Sequence, residues 1–371
     1  MFLARRTLPL AAALVAACIA LVAVPGAAAR ARSAVTGKYL LSFLACDRAT
    51  LGDACNDPRN HHVYLAQSDD GVSWSVLPGW RPYAGSVPDV IRRGDTIYLY
   101  TPGQLARYHV STGVLDPPLQ VAVTGLGQAS FVDPSAIQES DGRLVLFFLP
   151  GRFGSDPASC LSISDPCVQH FQSATEVAGS DGARFTLDAG DRAAVTLASG
   201  SSTQSASDPD VFAAGSTYVL YVSEGQSTVA LTSNALHGSF AQASTLVPQG
   251  AGGVASGYYD PPTQRYWTYA HIGGGSSPTV IRRAVGADLT TPLPDAAWTT
   301  VLTGATAGLG AGYDVASPGF APDTTGIPLA ASATTPTSKP AAKKAARKAK
   351  KTRPLCKKHQ RSTTKKPCRK R

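Results

Sequence analysis

Aspartate beside proline recurs at four points of the chain, each time just ahead of an aromatic strand. Val87-Pro88-Asp89-Val90 precedes Thr96-Ile97-Tyr98-Leu99-Tyr100, and Val132-Asp133-Pro134-Ser135 precedes Leu144-Val145-Leu146-Phe147-Phe148. Asp208-Pro209-Asp210-Val211-Phe212 precedes Tyr218-Val219-Leu220-Tyr221, and Tyr259-Asp260-Pro261 precedes Tyr266-Trp267-Thr268-Tyr269. At matched positions of a radial repeat, Asp89, Asp133, Asp208 or Asp210, and Asp260 converge on one pocket. Crowded carboxylates oppose each other's ionisation, which splits them into a proton donor and a proton acceptor, the division that glycosidic bond cleavage needs. Turn chemistry gives a plainer reading of each Asp alone: its side chain accepts backbone N–H bonds while Pro fixes φ.

Other chemistry-bearing residues are sparse. His61 and His62 adjoin a cysteine loop and His271 ends a strand, but no third ligand stands at metal-binding spacing, and a packed or solvated role suits them better. Trp74, Trp80, Trp267 and Trp298 have rings that stack on sugars when exposed and pack between sheets when buried.

The elements that must position these residues are β-strands. Apolar residues at helical spacing are scarce, while Gly, Pro and short aromatic strands abound. The repeats divide the chain into five four-stranded units at roughly 38–82, 83–124, 125–199, 200–248 and 249–303, an all-β, five-bladed propeller. Gly312-Tyr313-Asp314-Val315 supplies the innermost strand that the first unit lacks, closing the ring and removing an open sheet edge. A β-sandwich accommodates the same Pro/Asp starts without radial symmetry. A second phrase marks the outer hairpins: Ser68-Asp69-Asp70-Gly71-Val72-Ser73-Trp74, Ser180-Asp181-Gly182-Ala183-Arg184-Phe185 and, more loosely, residues 233–240. Asp-Gly favours a tight turn, and the aromatic that follows covers a blade edge.

Residues 1–29 read as a signal peptide: Arg5 and Arg6, an apolar run over 8–24, then Ala27-Ala28-Ala29. Val15-Ala16-Ala17-Cys18 resembles a lipid-attachment site, although the apolar run continues past Cys18. The remaining six cysteines form three sequence-local pairs, Cys46-Cys55, Cys160-Cys167 and Cys356-Cys368, read as disulfides of an extracytoplasmic protein. Residues 339–371 hold 16 of the 34 Lys and Arg and none of the 25 Asp and Glu, so the first 338 residues carry a net charge of −7. The propeller, residues 30–322, is therefore acidic, and the tail, 323–371, is basic and too poor in apolar residues to fold. Behind a signal peptide the tail's partners are anionic cell-envelope polymers rather than a specific nucleic acid. The expected location is secreted and cell-wall associated, and the expected state is a monomer.

Residues 38–322 resemble the five-bladed propellers of glycoside hydrolase family 43, the arabinanases and xylosidases, and their invertase and levansucrase relatives. The resemblance rests on Val87-Pro88-Asp89-Val90, on Phe131-Val132-Asp133-Pro134-Ser135 with Asp141-Gly142-Arg143, and on Tyr266-Trp267-Thr268-Tyr269-Ala270-His271. It implies a carbohydrate ligand, a calcium ion in the central funnel with His271 beside it, and Asp133 as the residue that tunes the acid. The family's fourth-blade acid is a Glu before Gly-Pro; Ser207-Asp208-Pro209 stands here, so Asp208 would take that role. Nothing acidic lies between Ser33 and Leu44, where the family has its base, which leaves Asp314 or Asp47. Glu224 is expected away from the funnel mouth. The catalytic candidates are thus Asp133, Asp208 and Asp314, and the ligand-binding ones Asp89, Asp210, Asp260 and His271. Two functions remain open: a glycosidase, or a non-catalytic propeller that binds carbohydrate or protein.

Overall fold

The computed structural model describes residues 35–127, 130–151, 167–197, 205–274 and 277–322. Five sheets, antiparallel except where Ala122–Thr124 runs parallel to Arg184–Leu187, follow one another around an axis. Their innermost strands are β1 (Asp89–Arg93), β2 (Ser130–Gln138), β3 (Ala206–Ala214), β4 (Gly253–Asp260) and β5 (Tyr313–Pro322). β5 belongs to the first blade: it pairs with Tyr39–Asp47 over its whole length, from Tyr39 opposite Pro322 to Asp47 opposite Tyr313. The ring is therefore closed by strands from both ends of the propeller, as the Gly312-Tyr313-Asp314-Val315 phrase predicts, and no sandwich forms.

Five hydrophobic clusters occupy the five blade interfaces. Leu40, Val63 and Leu65 of the first blade meet Val90, Ile97 and Leu99 of the second, and Phe147 and Phe171 of the third meet Val211, Leu220 and Val229 of the fourth. The remaining interfaces are filled in the same way. The large aromatics of the strand repeats, Tyr100, Phe147, Tyr221 and Tyr269, are fully buried there.

Outer hairpins fasten the first, third and fourth blades each to the one before it. Gly71 (φ +69°) lies against Trp267 and Tyr269 of the fifth blade, and Tyr269 Oη donates to Gly71 O at 2.7 Å. Gly182 (φ +73°) lies against Tyr98 and Tyr100 of the second blade, and Tyr100 Oη donates to Gly182 O at 3.0 Å. The aromatics that end the phrase lock in beside them: Trp74 on Tyr269, Phe185 on Tyr100 and Phe240 on Phe147. A disulfide joins Cys46, in the strand Tyr39–Asp47, to Cys55 in the segment that follows it. The other two expected pairs, the signal peptide and the basic tail lie outside the described residues.

Candidate functional site

Four of the five inner strands break their ladder, and β1 is entered, at the sequence left-handed residue, Pro or Ala, small or acidic residue. The copies are Val87-Pro88-Asp89, Asp133-Pro134-Ser135, Asp208-Pro209-Asp210, Val254-Ala255-Ser256 and Ser317-Pro318-Gly319, with the first residue at φ +46° to +50° in all five. Pairing skips at this point in β2, β3, β4 and β5, so the Pro of β2, β3 and β5, which has no N–H to offer, falls in a bulge. Because all five blades share the strained φ, the strain belongs to the fold.

The third residue of each copy clamps the next blade. Ala136 N donates to Asp89 Oδ2 (2.6 Å), Val211 N to Ser135 Oγ (2.9 Å), Gly257 N to Asp210 Oδ2 (2.8 Å) and Phe320 N to Ser256 Oγ (3.0 Å). These amides lie on the inner strands, which have a ladder neighbour on one side only, and a short side chain of the neighbouring blade satisfies them. The fifth copy reverses the arrangement. Gly319 has no room for a Cβ, which would sit 2.7 Å from Pro88 O, and Ser42 Oγ donates to Pro88 O instead (2.9 Å). Asp89 and Asp210 thus hold blades together from inside the ring.

The first residue of each copy faces the mouth. Asp133, Asp208, Val87, Val254 and Ser317 surround a void of about 20 Å³ that they share with Asp89 and Asp210, room for about one water. Asp133 and Asp208 lie on adjacent blades, with Asp208 N 3.4 Å from Asp133 Oδ2. Burial, and then the charge of Asp208, push the Asp133 carboxyl well above the usual range. Burial raises Asp208 to about 6, against the pull of the hydrogen bond from Ser207. Below them burial raises Asp210 to about 7, and burial plus the charge of Asp210 raise Asp89 well above its ordinary value. No basic side chain lines this void.

The structure therefore brings together Asp89, Asp133, Asp208 and Asp210 and sends two sequence candidates elsewhere. Asp260 ends β4 at the opposite end of the channel, where Thr263 Oγ1 donates to its carboxylate in the following turn. Its phrase is a hairpin turn; the fifth blade's counterpart of the other phrases is Val254-Ala255-Ser256, which contains neither Asp nor Pro. Asp314 begins β5 three residues before Ser317, accepts Thr279 N at 2.7 Å and lies 3.6 Å from Arg48 Nη1. Asp47 caps the helical turn Arg48–Leu51 by accepting from Thr50 N. His271 does reach the mouth: its Nδ1 accepts Ser317 N at 3.2 Å, and burial lowers it to about 4, so it is neutral at ordinary pH.

Glu224 corrects a further expectation. It stands at the mouth end of its strand, opposite Ala206, with its carboxyl half-buried and raised by desolvation. The signal was available in the pairing direction: the strand after an inner strand ends where the inner strand begins. For the calcium ion implied by the resemblance, the described residues contain no group of three or more His, Cys, Asp or Glu side chains arranged to hold a metal. The carboxylates that line the void are occupied largely by backbone amides and protons instead.

The opposite mouth differs in character. A cavity of about 370 Å³ lies there, walled by Ile91, Ile137, Val211, Phe212, Tyr258 and Phe320 from all five blades. The channel is thus polar at one end, apolar at the other, and narrow between.

No protein-family profile and no curated protein matches the chain. Among solved structures it is similar to a xylan β-1,4-xylosidase from Bacillus halodurans, at 14% identity and TM-score 0.40 over 60% of this chain and 48% of that one. It is similar to the GH43_1 enzyme of Xanthomonas citri complexed with xylotriose, at 15% identity and TM-score 0.42 over 60% and 78% of the two chains. An exo-1,5-α-L-arabinanase from a bovine ruminal metagenomic library gives 15% identity and TM-score 0.40 over 67% and 89%. The chain spans less than half the length of the xylosidase.

Proposed function

We infer that the propeller binds a carbohydrate chain across the Asp133–Asp208 mouth and does not cleave it. The observation that carries this reading is the asymmetry of the mouth. Hydrolysis by two carboxyl groups places them about 5–9.5 Å apart on either side of the glycosidic bond. Here the two carboxyls at the first position of the repeat, Asp133 and Asp208, stand on adjacent blades with Asp208 N 3.4 Å from Asp133 Oδ2, while the other three blades offer Ser317, Val87 and Val254 at that position. Asp314 is engaged by Arg48 and Thr279. A carboxyl pair that retains a proton offers a donor beside acceptors, the complement of two adjacent sugar hydroxyls. The void below is too small for a sugar ring, so the ligand lies across the opening.

Titration with arabino-, xylo- and fructo-oligosaccharides is expected to show saturable binding without release of reducing ends, and Asp133→Asn to weaken that binding about tenfold, the worth of one charge-assisted hydrogen bond. A second reading, hydrolysis, draws support from Glu224 and Asp208, whose raised carboxyls suit a proton donor. Turnover abolished by Glu224→Gln or Asp208→Asn would establish it and overturn the first.

The export signal and the basic tail extend the reading to a protein held on anionic polymers of the envelope. The full chain is expected to elute from isolated cell walls as salt rises, because each Lys or Arg contact releases counterions. A chain ending at Pro322 that stays on the walls at low salt would refute tethering by the tail.

A further inference from the structure

Beside the mouth, on the same face, lies a cleft of about 430 Å³ bordered by the first, second and third blades. Its polar groups are neutral and converge. Gln104 and Gln120 are register partners across adjacent strands of the second blade, so both amides project at one place. Gly103 between them (φ +69°) leaves the floor open: a Cβ there would stand 3.0 Å from Ser130 Oγ and 3.7 Å from Gln120 Oε1. Ser130 lies three residues before Asp133, so the floor runs toward the mouth. Among the described residues the side chains of Gln104, Gln120, Ser130 and Thr101 have no hydrogen-bond partner, and Thr101 is only 2% exposed. The other three are open to water, Gln120 exposed and Gln104 and Ser130 partly so, and a ligand whose hydroxyls replace that water meets convergent donors and acceptors in a concave site.

The charges nearby narrow the ligand. Arg59, the cleft's one cation, is at the lip, with Nη2 2.5 Å from Asp57 Oδ2, and its side chain is 79% exposed. No carboxylate lines the cleft. An anionic ligand therefore finds no free cation, while the acidic propeller repels it.

We propose that this cleft is a sugar subsite that takes uncharged residues of the bound chain, with Gln104 and Gln120 each able to give and accept one hydrogen bond to neighbouring hydroxyls. The inference rests on the carbohydrate-binding reading above and extends it by naming the chemical class. Calorimetry of the full chain tests it with neutral xylo- and arabino-oligosaccharides against oligogalacturonate of equal length. Neutral chains are expected to bind at least tenfold tighter. Gln104→Leu with Gln120→Leu is expected to cut neutral binding tenfold or more with no change in the unfolding midpoint, since neither amide has a protein partner. Equal binding of oligogalacturonate, or neutral binding unchanged in the double variant, would overturn the subsite. If Asp133→Asn alone then weakens binding, the mouth reading stands without it. If the wild type binds no oligosaccharide of either kind, both fall.

Discussion

Thermal unfolding of the propeller is expected to become easier as pH rises from about 4 to about 7, and Asp210→Asn to remove part of that slope. Asp210 has its carboxyl at about 7 in the fold against an ordinary 3.8, because burial disfavours its charge more than Gly257 N and Ser256 Oγ favour it. Between those values the folded state holds a proton that the unfolded state has released, so stability falls as pH rises through the window and is flat below and above it. The slope reaches about 1.4 kcal/mol per pH unit for each such group, an upper limit of about 4 kcal/mol for Asp210. Asp89, Asp133 and Asp208 face the same void and act in the same direction. His271 and His61 oppose them, since burial lowers both and they favour the folded state as pH rises toward their ordinary 6.5. Above that value the histidines contribute nothing further, and the carboxyls act alone. The asparagine keeps an acceptor for Gly257 N and cannot ionise, so at pH 8 its midpoint should equal or exceed that of the wild type. Midpoints by scanning calorimetry at six pH values decide it: a midpoint that climbs from pH 4 to 7, or the same slope in wild type and Asp210→Asn, would defeat the argument.

Those four carboxylates also indicate how far the sequence could be read. Pro beside Asp marked three of the five copies, because the left-handed residue tolerates Asp and the missing ladder position tolerates Pro. The fifth blade hid its bulge behind Val254-Ala255-Ser256, where the same backbone is held by Gly252 and Gly253 packed against His271 O and Gly225 O. Tyr259-Asp260-Pro261 carries that blade's Asp-Pro pair instead, in a hairpin turn of ordinary composition. Ser317-Pro318-Gly319 shows the same Xaa-Pro followed by a small residue but no acid, whereas the acid of that strand, Asp314, stands three positions earlier. The division of labour within each phrase was not legible at all. Whether an Asp faces the mouth or clamps the next blade depends on its being before or after the Pro, and only the bulge makes that distinction: Asp133 and Asp208 precede it, Asp89 and Asp210 follow it. The hairpins were read more completely, because Asp-Gly followed by an aromatic states both the turn and its cover.

One of those hairpins carries the other large effect. Gly182→Ala is expected to cost on the order of 3 kcal/mol or more, and Gly215→Ala only about 1 kcal/mol, although both glycines adopt left-handed backbone, at φ +73° and +64°. The shared cost is the left-handed conformation imposed on a residue with a Cβ. The difference is space. At Gly215 an added Cβ meets nothing within 4 Å, whereas at Gly182 it stands 2.6 Å from Tyr100 Oη and 2.9 Å from Tyr98 Cδ1. Tyr100 cannot yield cheaply: it is fully buried, packed edge-on against Phe185, and its hydroxyl donates to Gly182 O at 3.0 Å. The second tyrosine is also held, its hydroxyl bonded by Arg93 Nη2 at 2.9 Å and by Asp181. Gly182 N meanwhile donates to Glu176 Oε1 at 2.5 Å, and Glu176 Oε2 is 2.6 Å from Arg93 Nη1, so displacing the hairpin strains a buried ion pair between the second and third blades. Denaturant unfolding of the two variants measures the contrast directly. If the two glycines prove equally replaceable, the hairpin is not what fastens these blades, and the hydrophobic clusters between them hold the ring alone.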